Sequence, residues 1–284
     1  MRPKGLETTT ELEPLVRKAV DGNRAALEEL VLAIQDQIYN LAMYMLWHPE
    51  DAKDATQEIL IKVITNLSSF RFESAVTTWG YRIASNYLLT TRKKNAARSA
   101  MTFEDFEKDL EQGLAPANKH SMPDQKILEE EVKIGCTRGM LLCLDRKYRL
   151  AYVLGDIFEV KSEDAGTLLN ISAETYRKRL SRARGRIRNF MEKNCGIINP
   201  EASCRCHKQI KPAIRKGRVD PDHLLFAAPK QLQDDGMLKK RVREIEELHE
   251  AASVYRSHPN HEAPDAMLDK IRQILNSGTY QILN

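Results

Sequence analysis

The sequence predicts an all-α protein: two small helical domains joined by a flexible linker, followed by a helical C-terminal extension. Three observations lead there. Apolar residues recur at three- and four-residue spacing through successive stretches, the period of an amphipathic helix. A helix-turn-helix pattern stands at 162–188. At 284 residues the chain is long enough for about two domains and too long for one small helical core.

Residues 11–47 carry Leu12, Leu15, Val16 and Ala19, then Leu27, Leu30, Val31 and Ile34, then Ile38, Leu41, Ala42 and Met45. These stripes predict packed helices. After Trp47-His48-Pro49 another helix opens at Glu50, with Ala55, Ile59 and Val63 on one side and Asp51, Asp54, Gln57, Glu58 and Lys62 largely on the other. Acidic residues at a helix start suit the macrodipole, so by itself this face is an ordinary solvated surface.

The segment 68–94 differs in kind. A short polar loop at 73–78 is flanked by the aromatics Phe70, Phe72, Trp79, Tyr81 and Tyr87 and by the cations Arg71, Arg82, Arg92, Lys93 and Lys94. Aromatic faces beside cations suit a single-stranded base next to a phosphate. Trp79 and Ile83 read as core, whereas Phe70, Arg82 and Asn86 are candidates for holding a base.

From 95 to 123 the pattern lapses into charged and small residues without a sustained apolar stripe, which reads as a linker. Residues 126–143 restore a helix, and Asp145 is placed as the N-cap of another that ends near Phe158.

The segment from Ser162 to Arg188 carries the most information. Gly166 supplies the small residue needed where two helices approach closely, Asn170 tolerates the left-handed conformation of the turn, and Ser172 caps the second helix. In that helix Tyr176, Leu180, Ala183 and Ile187 form one apolar stripe. Arg177, Lys178, Ser181, Arg182 and Arg188 lie away from it, where cations reach phosphates and guanidinium groups reach guanine edges in a major groove. Net charge is only +4, yet seven of the thirteen residues at 176–188 are Arg or Lys. Focused charge of this kind predicts a defined nucleic-acid surface.

Five cysteines, an odd number, argue against a disulfide scaffold, and Cys136 and Cys143 read as packed thiols. Cys195, Cys204, Cys206 and His207 form a C-x8-C-x-C-H arrangement. Three thiols and an imidazole can close a tetrahedral zinc site. The alternative is a redox-active or structural cysteine cluster, and no other cofactor is required. Residues 231–258 and 263–278 read as two amphipathic helices. No Ser/His/Asp set, Gly-rich phosphate loop or HExxH motif occurs, so an enzyme is the least supported class. No apolar run reaches the ~18 residues of a membrane span, and the polar start at 1–13 lacks a signal pattern, so the expected location is the cytoplasm.

Two blocks can now be taken together. Residues 51–88 resemble conserved region two of the sigma-70 family of bacterial RNA polymerase sigma factors, and residues 144–188 resemble region four. With a short linker in place of an intervening domain, the chain resembles an extracytoplasmic-function (ECF) sigma factor over residues 11–192. The resemblance implies region two at 1–94, a linker at 95–125, region four at 126–192 and an extension at 193–284. It implies that Asp54, Gln57 and Glu58 dock on the clamp helices of the largest subunit of core RNA polymerase. Phe70, the 73–78 loop, Arg82 and Asn86 would melt the −10 element and capture a base. Arg177, Lys178, Ser181 and Arg182 would read the −35 element. The implied partners are core RNA polymerase and promoter DNA, with an anti-sigma factor as a further candidate and no membrane insertion. Gly80 stands where the family usually has a larger apolar residue, and Tyr176 where it usually has a β-branched one. Two rivals remain: a stand-alone helix-turn-helix regulator, and a metal- or redox-responsive sigma factor controlled by its C-terminal cysteines.

Overall fold

A computed structural model of the protein describes residues 9–90, 101–112, 125–227, 251–264, 267 and 271–273. The helices are α1 (Thr9–Val20), α2 (Arg24–Leu46), α3 (Pro49–Thr65), α4 (Val76–Thr90), α5 (Phe103–Gln112), α6 (Gln125–Leu141), α7 (Arg146–Tyr152), α8 (Ser162–Leu169), α9 (Ala173–Asn194), α10 (Cys206–Arg215) and α11 (Ala251–Arg256). Among the described residues there is no named strand, as the all-α expectation requires. Most of 231–258 and 263–278, expected as two helices, lies outside the described residues; α11 is the described part of the first.

The described residues form two compact units. The first draws on 1–92, 160–177 and 260–284. Its core is built from α2 (Leu27, Leu30, Ile34, Ile38, Leu41), α3 (Ala52, Ile59, Leu60, Val63) and α4 (Tyr81, Ala84, Leu88), all buried. Local chemistry sets the helix ends. The Asn23 side chain accepts a hydrogen bond from the Ala26 amide at 3.0 Å, and His48 Nδ1 accepts from the Glu50 amide at 3.3 Å, with Pro49 in the first turn of α3. The tail then lies along α2. Asn40 Nδ2 donates to the His261 carbonyl at 2.8 Å, Asn40 Oδ1 accepts from the His261 amide at 3.0 Å, and the Ala263 amide donates to Asp36 Oδ1 at 2.8 Å.

The second unit draws on 93–159 and 178–259. Leu128 and Val132 of α6 pack with Ile210 of α10 and with Val219. The buried guanidinium of Arg149 closes the end of α6, donating to the carbonyls of Leu141 at 2.8 Å, Leu142 at 3.0 Å and Leu144 at 3.0 Å. Burial pushes its pKa down to about 10, which leaves it charged at neutral pH. Glu131, also buried, accepts from the amides of Leu225, Phe226 and Ala227 at 2.8, 2.9 and 2.7 Å. Tyr255 of α11 is fully buried with its ring edge-on to Tyr152, 5.5 Å between centroids.

The segment expected as a linker contains a helix with a partner. In α5, Phe106 and Leu110 are buried, and Phe103 and Phe106 stack on Phe190 of α9 at 5.2 and 5.6 Å. Thr102 and Asp105 cap the start reciprocally: the Asp105 amide donates to Thr102 Oγ1 at 3.1 Å and the Thr102 amide to Asp105 Oδ2 at 3.2 Å. Asp109 anchors the same helix to Lys216 at 2.5 Å and to Arg218.

Candidate nucleic-acid interface

The helix-turn-helix is built as its residues dictate. Asn170 ends α8 in the left-handed region, at φ 53° and ψ 46°. A Cβ on Gly166 would lie 3.0 Å from the Ile171 carbonyl oxygen and 3.1 Å from the Ala173 nitrogen, so a larger residue would have to push this backbone back by a few tenths of an ångström, and glycine lets the turn fold back this closely. Ser172 Oγ accepts from the Thr175 amide at 3.1 Å, capping α9. The stripe Tyr176, Leu180, Ala183 and Ile187 is buried throughout.

Arg177, Lys178, Ser181, Arg182 and Arg188 are exposed on the opposite side. Two of the reading candidates hold exposed, exchangeable partners: Arg177 pairs with Glu163 at 3.2 Å, and Arg182 Nη1 donates to the Tyr148 hydroxyl at 3.3 Å. That hydrogen bond holds the Tyr148 hydroxyl below its ordinary pKa. Arg184 is placed otherwise. It grips the buried carboxylate of Asp156 with Nε at 2.9 and 3.0 Å and Nη2 at 2.6 Å, and so belongs to the scaffold of α9.

On α3, Asp54 and Glu58 are exposed one turn apart, a compact acidic patch. Gln57, expected beside them, is instead 6% exposed. At position 57 the helix has turned toward the Thr56 and Leu60 side, so this amide faces the interior, and the acidic face consists of the two carboxylates. On α4, Arg82 and Asn86 are exposed at i and i+4 and share a face. Phe70 is not beside them as an open stacking surface. It is 8% exposed, at the end of a 3₁₀ turn (Leu67–Ser69), with its ring 4.8 Å from Phe72 and 5.4 Å from Trp79. Trp79 and Ile83, expected as core, are each partly exposed. Trp79, three residues before Arg82 on α4, is a partly exposed aromatic that helix period alone does not separate from core.

In the tail, Cys195, Cys204 and Cys206 come together, their chain segments joined by a single parallel bridge in which the Gly196 amide donates to the Cys204 carbonyl at 3.1 Å. His207 is exposed at the start of α10 and does not line the cavity bordered by these thiols; Cys136 of α6 does. Cys143 stands apart, its thiol donating to the Thr102 carbonyl at 3.5 Å, and burial pushes its pKa up to about 12.

Comparison with known proteins identifies this combination. Sigma-70 region 2 matches residues 30–98 and Sigma-70, region 4 matches residues 134–187. The RNA polymerase sigma-H factor of Pseudomonas aeruginosa is 30% identical over 180 residues, covering 62% of this chain and 92% of that protein. The ECF RNA polymerase sigma factor SigW of Bacillus subtilis is 28% identical over 185 residues, 62% of this chain and 97% of that protein. The ECF RNA polymerase sigma-E factor of Escherichia coli is 29% identical over 184 residues, 63% of this chain and 93% of that protein. The chain belongs to the sigma-70 family. Within it the chain is a sigma factor of the extracytoplasmic-function type, a promoter-directing subunit of transcription initiation and not an enzyme. No described helix is long and apolar enough to cross a membrane.

Proposed function

We propose that three surfaces divide the work of this sigma factor. Arg177, Lys178, Ser181 and Arg182 of α9 read the −35 element in the major groove. Arg82 and Asn86 of α4, with the 73–78 loop, engage the opened −10 element, and Phe70 supports that site from beneath. Asp54 and Glu58 of α3 dock on the basic clamp helices of core RNA polymerase. The work is assigned to region two at 1–94 and region four at 126–192, with 95–125 connecting them and 193–284 as an extension, and we place the protein in the cytoplasm beside the polymerase.

The observation that carries this assignment is the exposure of all four α9 residues on the side opposite the buried Tyr176/Leu180/Ala183/Ile187 stripe. A polar face held rigid by a buried one is what base-edge contacts require. The rival reading, a regulator that binds duplex DNA alone, gives no role to the Asp54/Glu58 patch. Transcription by core polymerase with and without the protein, followed by mapping of the start sites, separates the two. Initiation at defined promoters only when the protein is present is the expected result. Protection of a duplex site by the protein alone, with no new transcripts, would overturn the proposal.

A further inference from the structure

Four of the five cysteines surround one cavity of about 70 Å³. Cys136 reaches it from α6, Cys195 from just past the end of α9, Cys204 from the loop before α10 and Cys206 from the first residue of α10. The loop is built tightly. Gly196 sits where any side chain would collide with the Cys204 carbonyl and the Arg205 guanidinium. Arg205 donates to the carbonyls of Pro200 at 2.5 Å, Cys204 at 2.8 Å and Ala202, and Asn199 Nδ2 donates to the Glu192 carbonyl at 2.7 Å.

One of the sulfurs also has a side-chain donor within reach. Gln209 Nε2, which donates to the Leu110 carbonyl at 3.0 Å, also approaches Cys204 Sγ at 3.8 Å. Neutral thiols make little use of such donors, whereas thiolates bound to a metal are oriented and stabilised by them. Arg205 and Lys208 near Cys204 add positive charge beside a site that would otherwise concentrate negative charge, whereas Lys133 and Arg218 are already paired with Glu130 and Asp109.

We propose that Cys136, Cys195, Cys204 and Cys206 form a four-thiolate zinc site that locks α6, the end of α9 and α10 together. Among the described residues no three ligand-type side chains already meet at a common point, so binding draws the four sulfurs inward across the cavity they line. The reaction balances as one zinc ion and four thiols giving a tetrahedral zinc tetrathiolate of net charge −2 and four released protons. Four thiols give up their protons to the metal, so binding weakens as pH falls. The fourth ligand is Cys136, far away in sequence, and not His207, which is adjacent to the loop but exposed.

The test uses the full-length protein, purified without added metal, and its readouts are independent of promoter activity. Elemental analysis should find about one zinc per chain, and exchange with cobalt should give the visible absorption of a tetrahedral all-sulfur site. Cys136→Ser should lower zinc affinity about tenfold or more, while His207→Ala and Cys143→Ser leave it unchanged. Circular dichroism of Cys136→Ser separates loss of metal from loss of fold, and in a misfolded variant the cobalt spectrum of the parent chain decides instead. Substoichiometric zinc, a disulfide between Cys195 and Cys204 in the purified protein, or loss of metal on His207→Ala with retention on Cys136→Ser would each overturn the proposal.

Discussion

Arg184 and Asp156 form a two-pronged ion pair in which a half-exposed guanidinium neutralises a carboxylate that is 8% exposed. The pair ties the basic helix α9 to a π-helical turn at Val153–Ile157. Arg182, two residues earlier, has no such duty and meets the exposed Tyr148 hydroxyl. Two neighbouring arginines thus have separable roles. Arg184→Ala, which strands the Asp156 charge, should cost about 1 to 3 kcal/mol of stability, less than for a fully buried pair because the guanidinium is partly solvated. Chemical denaturation measures it, and an unchanged midpoint would refute the scaffold role.

Arg182→Ala should leave the denaturation midpoint unchanged and weaken promoter binding by roughly 1 to 3 kcal/mol, with the loss concentrated at one base position. An equal loss for every −35 variant would make Arg182 a phosphate contact.

Reversing charge at Asp54 and Glu58 together should abolish co-purification with core polymerase while the protein stays folded, since both side chains are exposed. Gln57→Ala should instead lower stability and spare assembly, because Gln57 faces the interior.

Phe70→Ala should cost about 3 kcal/mol or more of stability, as expected for removing a buried ring. Arg82→Ala and Asn86→Ala should leave the melting temperature alone and slow open-complex formation on duplex promoters. Templates with a pre-melted −10 region should rescue the two exposed variants; failure of that rescue would place their defect outside strand capture.

Acid should loosen the attachment of α5. Burial opposes ionisation of Asp109, but hydrogen bonds from Arg218 and Lys216 outweigh it and hold the carboxyl below its ordinary range. A depressed folded pKa contributes stability that is fully present above the unfolded value of about 3.9 and is lost as pH falls through the folded one. Thermal melts of Asp109→Asn should therefore be lower than the parent at pH 7 and converge on it at low pH.

Local chemistry makes the helix-turn-helix legible in the sequence itself. Gly166, Asn170 and Ser172 act on neighbours within a few residues, and the stripe from Tyr176 to Ile187 follows from helix period alone. Gln57 and Phe70 are not legible in the same way, because period places them at the edge of a face and only packing decides which side wins. Helix α5 escapes a reading by periodicity because Phe103, Phe106 and Leu110 are embedded in acidic residues, although the Thr102/Asp105 capping pair is a local signal for its start. Cys136 cannot be assigned to the Cys195–Cys206 group from sequence at all, since nothing local links α6 to a loop nearly sixty residues further along the chain.

The Glu131 carboxylate, which accepts from the amides of Leu225, Phe226 and Ala227, bears on how this protein can be cut or recombined. A chain ended at residue 192 would keep that carboxylate in α6 and remove every donor that satisfies it, along with the α10 side of the same hydrophobic cluster. The boundary at which the family resemblance stops is therefore not a boundary at which the polypeptide can be severed. Hybrid factors built from this one would need to carry residues through at least Ala227, so that α6 travels with the segment that satisfies Glu131 and packs on Leu128 and Val132.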